Sequence, residues 1–313
     1  MSQNKYQVLV IGGNGFVGNH IIRYLSKHNI NVLSVVRNKL RKVNKVEYVP
    51  VGNFTNLSFK NWYAIFKSVD CVIDCSGKNP VKDFRESDLM DVQRLTENVT
   101  KALVSAKVKH YIFLSSVKVL GENTEFSGFN NSSRPNPNDL YGQSKTLSEK
   151  IIEENLRGSD TKYTIFRPPL IIGKDVKGNL ISLISLIDKK VPLPIKDITN
   201  KRAIIGVSNL ANYVCLSIMN ENFFQKKLLV FDANLSTYDL GRKIASSLNK
   251  KNNFFKVPNF IIKFLVAINP KFNKIFNSLE IDPKTMTIDT KLEQRYKIDY
   301  DIGNAVKGYL SNL

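Results

Sequence analysis

Along the first two-thirds of this 313-residue chain, short unbroken apolar runs alternate with stretches whose apolar residues recur every three or four positions. Such runs fit strands buried on both faces of a parallel sheet, and the stretches between them fit its crossover helices. The pattern predicts strands at Gln7–Ile11, Asn31–Val36, Val46–Val49, Cys71–Cys75, Tyr111–Ser115 and Tyr163–Phe166. It predicts helices at Phe16–Lys27, Phe59–Lys67, Leu89–Ala106 and Leu140–Glu154. Asp139 falls at the N-cap of the last helix, after the Pro/Asn-rich loop RPNPNDLYG. Beyond RPPLIIG (Arg167–Gly173) the regular alternation lapses.

The turn between the first strand and the first helix reads GGNGFVG. Gly12, Gly15 and Gly18 stand where backbone N–H groups and the positive end of a helix dipole face outward and can hold a diphosphate. A side chain at Gly12 or Gly15 would obstruct the turn or the approaching phosphate, and one at Gly18 would hold the helix off the strand. Strand, glycines and helix come in the order of a dinucleotide site. The expected fold is α/β, with a Rossmann-type doubly wound parallel sheet over residues 1–170. Residues 171–313 then form mainly a smaller mixed C-terminal substrate-binding region, some segments of which return to the sheet.

Composition narrows the setting. With 42% hydrophobic and 23% charged residues the chain reads as soluble and globular rather than disordered. The first strand begins too near Met1 for a secretory segment to precede it. The most apolar stretch, FIIKFLVAI (Phe260–Ile268), is short and contains Lys263, so no integral membrane segment is expected. Three cysteines, an odd number, point to a reducing compartment and not to a disulfide framework, with Cys71 and Cys75 as inert thiols in or beside a strand. Three histidines and no Cys/His cluster predict no metal site. A cytoplasmic protein is expected.

Lys and Arg exceed Asp and Glu by 46 to 27, a net charge of +19, which raises nucleic acid as a partner. The lysines are scattered, often beside Asn, and no nucleic-acid motif accompanies them, so no nucleic acid is expected. Lys250–Phe276 interleaves lysines with aromatic and aliphatic residues. It admits either peripheral contact with a membrane surface or a core-facing helix.

Two later segments carry the chemistry. HYIFLSSVKVLGE (His110–Glu122) is a strand ending in two serines, at the sheet edge where open parallel sheets place ligands. In YGQSKTLSEK, Tyr141 and Lys145 are four apart and share a helix face. A free tyrosine titrates at about pH 10, so a tyrosine base at neutral pH needs a lowering worth roughly 4 kcal/mol. An ammonium beside the phenolate and a cationic nicotinamide supply that help, while a serine hydroxyl orients the reacting alcohol.

Together these residues make the chain similar to extended short-chain dehydrogenases/reductases of the epimerase/dehydratase family, in the branch of UDP-glucose 4-epimerase. The resemblance covers essentially the whole chain, through GGNGFVG, FLSSVKVLG, YGQSK, RPPLIIG, GNL and KRAIIGVSNLA, with 25 residues between Ser116 and Tyr141. It implies Ser116, Tyr141 and Lys145 as catalytic residues, with Ser115 a structural or cofactor neighbour. It implies a cofactor site formed by Gly12, Gly15, Phe16, Val17, Gly18, Arg37 and Asn53 together with Tyr141 and Lys145. Lys118, Asn179, Leu180 and Arg202 are implied to meet a nucleotide-sugar substrate, Arg202 as a clamp on its diphosphate. Asn98 matches a position that packs near the active site, and relatives suggest a homodimer through first-domain helices.

Departures from the family pattern refine the expectation. Arg37, in SVVRN, stands where NAD-selective members carry an acid, and an arginine accommodates a 2′-phosphate, so NAD or NADP is expected with a tilt to NADP. Asn53 replaces the usual acid after the third strand, and DCSGKNP (Asp74–Pro80) lacks the expected alanines. Val117 and Lys118 occupy the place of the Asp-Glu pair of sugar 4,6-dehydratases, which disfavours elimination of water. The reading is an NAD(P)-dependent nucleotide-sugar 4-epimerase acting by hydride and proton exchange at sugar C4, in surface-polysaccharide synthesis. Its alternatives are an NADPH-dependent 4-keto reductase and a non-catalytic dinucleotide-binding regulator.

Overall fold

The computed structural model describes residues 7–38, 45–77, 84–124, 127–196, 198–258, 276–285 and 295–312. Val8–Ile11 (β1), Val32–Val36 (β2), Val46–Pro50 (β3), Cys71–Asp74 (β4), His110–Leu114 (β5) and Lys162–Arg167 (β6) are the six expected strands, each shifted at its ends by a residue at most. Phe16–Lys27 (α1), Phe59–Phe66 (α2), Glu86–Ser105 (α3) and Leu140–Leu156 (α4) are the expected helices. The third begins earlier than its apolar spacing suggested, because Glu86 and Asp88 in its first turn favour the helix N-terminus.

The remaining elements are Leu170–Ile172 (β7), Asn179–Asp188 (α5), Arg202–Gly206 (β8), Val207–Ser217 (α6), Lys226–Leu229 (β9), Ala233–Leu235 (β10), Thr237–Ser247 (α7) and Ile298–Leu310 (α8). Seven strands form one parallel sheet in the order β3-β2-β1-β4-β5-β6-β9. The order reverses at β1, between β2 and β4, the switch point at which such sheets bind ligands. A second sheet, β10-β8-β7, is mixed: β8 runs parallel to β7 and antiparallel to β10.

Both faces of the large sheet are covered, which explains the unbroken apolar runs. Val8 and Val10 pack with Ile21, Ile22 and Leu25 of α1 and Leu210 and Val214 of α6. Leu9 and Ile11 pack on the other face with Trp62, Val99, Leu103 and Ile152. A separate core forms where Ile184, Ile244, Ile302 and Val306 bring α5, α7 and α8 onto the small sheet, with Phe16 against it. A fourth cluster, including Val117, Val119, Leu229 and Ile281, joins the end of β5 to the later segments. Most of the Lys250–Phe276 stretch, all of Phe260–Ile268, and residues 78–80 lie outside the described residues. Among the described residues no helix is long and apolar enough to cross a membrane.

Candidate active site

The site begins at the glycine turn after β1. Gly12 has φ +78°, a conformation that suits glycine, and a Cβ there would lie 3.1 Å from the carbonyl oxygen of Cys75. A Cβ at Gly18 would lie 2.4 Å from the Gly12 carbonyl oxygen, so only glycine lets α1 approach the turn this closely. Gly13, outside the three-glycine spacing, is just as constrained: its Cβ would meet Ser34 Oγ at 2.1 Å. No side chain caps the first turn of α1, where Gly15 is the N-cap and Phe16, Val17 and Gly18 follow. Uncapped N–H groups at a helix start beside a glycine cradle suit an anion, so the residues present fit a dinucleotide diphosphate. Phe16 and Val17 themselves turn inward, Phe16 to the core around α5 and α8 and Val17 to the core beneath β1.

The serine, tyrosine and lysine come together at the C-terminal edge of β5 and the start of α4. Ser116 caps the turn Val117–Val119, its Oγ accepting the Lys118 N–H at 3.2 Å. Its hydroxyl faces the Tyr141 phenol. Lys145 lies one turn beyond Tyr141 on the buried side of α4, 6% exposed. Its Nζ donates to the Leu114 carbonyl at 2.9 Å and the Ser76 carbonyl at 3.4 Å. It also lies 4.6 Å from the centre of the Phe113 ring. A Cβ on Gly77 would sit 3.2 Å from this ammonium, so the segment after β4 passes close to it.

Burial pushes the Tyr141 phenol up to about 12, opposed by the Ser116 hydroxyl and reinforced by the Asp139 carboxylate. Burial also lowers the Lys145 ammonium, against the charges of Asp74 and Glu149. Within the protein alone, burial is thus the largest influence on both groups. The Cys71 and Cys75 thiols are pushed up by burial, as suits unreactive cysteines.

Beneath these groups lies a charged network that the sequence did not disclose. Ser115 Oγ donates to Glu149 Oε1 at 2.5 Å. Arg167 grips the same carboxylate through Nε at 3.0 Å and Nη2 at 2.5 Å. Both charged side chains are nearly sealed from solvent. Ser115 is therefore structural, and the network ties β5, α4 and β6 together directly under Ser116. Glu149 follows Lys145 by the same four residues that separate Lys145 from Tyr141, which was its only signal in the sequence.

The other predicted residues divide. Lys118 lies beside the pair, its ammonium bonded to Glu122 Oε1 at 2.7 Å and to Asp139 Oδ2. Arg202, at the head of β8, donates from Nη1 to the Asn277 carbonyl at 3.2 Å, and the Glu122 carboxylate favours its charge. Asn179 opens α5 and is exposed, whereas the Leu180 side chain is 4% exposed in the small-sheet core. Its apolar character serves packing, so only its backbone is left to face a ligand. Arg37 is exposed after β2, its guanidinium 5.8 Å from the centre of the Phe54 ring. Asn53 Oδ1 accepts the Thr55 N–H at 3.3 Å, capping a short 3-10 turn. Asn98, on α3, donates from Nδ2 to the Leu57 carbonyl at 3.2 Å.

Known proteins resemble the chain in sequence and in fold. The sequence model of the NAD dependent epimerase/dehydratase family matches residues 8–228. UDP-glucose 4-epimerase of Vibrio cholerae is 30% identical over 283 residues, covering 88% of this chain and 83% of that protein. N-acetyl-alpha-D-glucosaminyl-diphospho-ditrans,octacis-undecaprenol 4-epimerase of Escherichia coli O157:H7 is 26% identical over 249 residues, covering 78% of this chain and 73% of that protein. The crystal structure of UDP-N-acetylglucosamine 4-epimerase from Bacillus cereus superposes with a TM-score of 0.76 at 16% identity, covering 98% of this chain and 99% of that one, a likeness of fold.

Proposed function

Because the chain belongs to the NAD dependent epimerase/dehydratase family, we propose that it is a nucleotide-sugar 4-epimerase, inverting the C4 hydroxyl of a UDP-hexose or UDP-N-acetylhexosamine. The observation that carries this reading is that Ser116, at the edge of β5, faces Tyr141 in the first turn of α4, with Lys145 one turn beyond. The relative at 30% identity, a UDP-glucose 4-epimerase, supports the same substrate class. The undecaprenol-linked relative fits a setting in surface-polysaccharide synthesis.

In this mechanism Gly12, Gly15 and Gly18, with the start of α1 at Phe16 and Val17, would hold the diphosphate of the cofactor. Arg37 and Asn53 would meet its adenosine end, and Lys145 its nicotinamide ribose. The nicotinamide, when bound, would supply the acceptor and donor of hydride for C4. Tyr141 takes the proton from the C4 hydroxyl and returns it after the sugar has turned over. The Ser116 hydroxyl holds the same oxygen and steadies the phenolate through its hydrogen bond. Arg202 and the first turn of α5, at Asn179 and Leu180, are assigned to the nucleotide diphosphate.

Incubating the purified protein with UDP-glucose and with UDP-N-acetylglucosamine, without added cofactor, tests this reading. Accumulation of the C4 epimer supports it. Arg37 favours a second reading, a reductase of 4-keto sugars that uses a 2′-phosphorylated dinucleotide. Consumption of added NADPH by a 4-keto sugar, with no epimerisation, would establish that reading in its place.

A further inference from the structure

We propose that Lys118 is a positioning residue whose ammonium neutralises Asp139 beside Tyr141 and so lets the phenol release its proton. This rests on the reading of Tyr141 as the proton acceptor and assigns to Lys118 a task other than holding sugar.

A conflict at the start of α4 motivates the assignment. The helix needs a cap, and Asp139 Oδ1 supplies one by accepting the Gly142 N–H at 2.7 Å. A carboxylate suits the positive end of the helix dipole, yet it stands two residues before Tyr141, where its charge opposes a phenolate. A neutral cap such as Ser or Asn would avoid the conflict. This chain keeps the acid and places a cation on it: Lys118 Nζ bonds Asp139 Oδ2 and, at 2.7 Å, Glu122 Oε1.

The cation is aimed as well as paired. Its nitrogen lies 5.8 Å from the centre of the Tyr141 ring, near enough to favour negative charge on that ring's oxygen. Two backbone contacts fix the turn that carries it, while the two carboxylates hold the ammonium itself. The Lys118 N–H donates to Ser116 Oγ at 3.2 Å, and a Cβ on Gly142 would come within 2.7 Å of the Lys118 carbonyl oxygen. The turn carrying Lys118 and the first turn of α4 are therefore in direct contact. Burial works against the ammonium, but the two carboxylates outweigh it and hold the lysine above its ordinary value. Tyr141 also faces Ser116 and, edge-on at 6.5 Å between ring centres, Phe84, with Lys145 on its own helix. Glu122 also feels the Arg202 charge of β8.

The pH profile of kcat on UDP-glucose in the holoenzyme tests the assignment, using Lys118→Met, Asp139→Asn and the double variant. Lys118→Met should move the ascending limb up by about one pH unit and cut the neutral-pH rate about tenfold. Asp139→Asn, which keeps an acceptor for the Gly142 N–H, should move the limb the other way, and the double variant should return close to wild type. A second readout is tyrosinate absorbance of the isolated protein at a fixed pH near the top of its stable range, corrected with Tyr141→Phe. It should rise in the order Lys118→Met, wild type, Asp139→Asn. A fall in kcat in Lys118→Met with an unmoved limb and no rescue by Asp139→Asn would overturn the proposal in favour of a scaffold role. A raised KM alone would overturn it in favour of a sugar contact. If Tyr141→Phe keeps its turnover, the failure belongs to the reading of the base, whatever the absorbance order shows about Lys118.

Discussion

Replacing Glu149 by leucine should destabilise the fold more than almost any other single change near the site. The carboxylate accepts from Ser115 Oγ at 2.5 Å and from Arg167 at 3.0 and 2.5 Å, and both charged side chains are 2–3% exposed. A leucine side chain in its place would leave a buried guanidinium without its partner. Removing one member of such a pair costs about 3–5 kcal/mol, and the orphaned Ser115 hydroxyl adds about 1 kcal/mol. Arg167→Met alone should cost a similar amount by stranding the carboxylate. The double variant removes both charges and should cost less than either single, about 0–2 kcal/mol. Urea unfolding followed by the fluorescence of Trp62, the one tryptophan and fully buried, reads all three. A double variant costing the sum of the singles, or Glu149→Leu costing under about 1 kcal/mol, would refute the claim that the pair is coupled and sealed. Since Ser115 adjoins Ser116 and Glu149 follows Lys145 by one turn, kcat should fall even in variants that remain folded.

Tyr141→Phe should lower kcat by about 10²–10⁴, the usual contribution of a proton-transfer group, while dinucleotide affinity measured by calorimetry stays near wild type. Asp301 caps the start of α6, accepting from Ser208 Oγ at 2.9 Å, and burial raises its carboxyl from 3.8 to about 6. A raised acid favours the fold while protonated, so its contribution is full below about pH 4 and lost as pH rises through about 6, about 3 kcal/mol in all. Asp301→Asn should remove that dependence, seen as a gap between variant and wild-type unfolding curves that opens from pH 4 to 7; parallel curves would contradict it. Arg37→Asp should shift the ratio of NADPH to NADH affinity about tenfold or more toward NADH; an unchanged ratio would free Arg37 from any contact with the 2′-phosphate.

The first half of the fold was legible because its strands are buried on both faces and its helices on one. α1 begins and ends where the spacing of Phe16, Val17, Ile21, Ile22 and Leu25 puts it, and Asp139 does cap α4. The small sheet was not legible. β7 and β10 have three residues each, too few for any period to show, and β8 acquires its partners from distant segments. Charged residues misled for a related reason. Glu149 reads as an ordinary surface position on a helix, and Lys118 as a free cation. Only the packing of β5, α4 and β6 reveals that each faces an opposite charge. Leu180 matched a ligand-lining segment in sequence, yet its side chain completes a core that includes Ile302 and Tyr309, more than a hundred residues away.

In the proposed reaction one hydrogen leaves C4 of the sugar as hydride and the same hydrogen returns to the opposite face, with Tyr141 moving only the hydroxyl proton. Running it on a UDP-sugar in D₂O and examining C4 of the product by NMR follows that hydrogen. An inverted C4 that carries protium, at the same level as in the starting sugar, is expected. Deuterium at C4 of the epimer would mean that the carbon exchanges its hydrogen with solvent, and would rule the proposed reaction out.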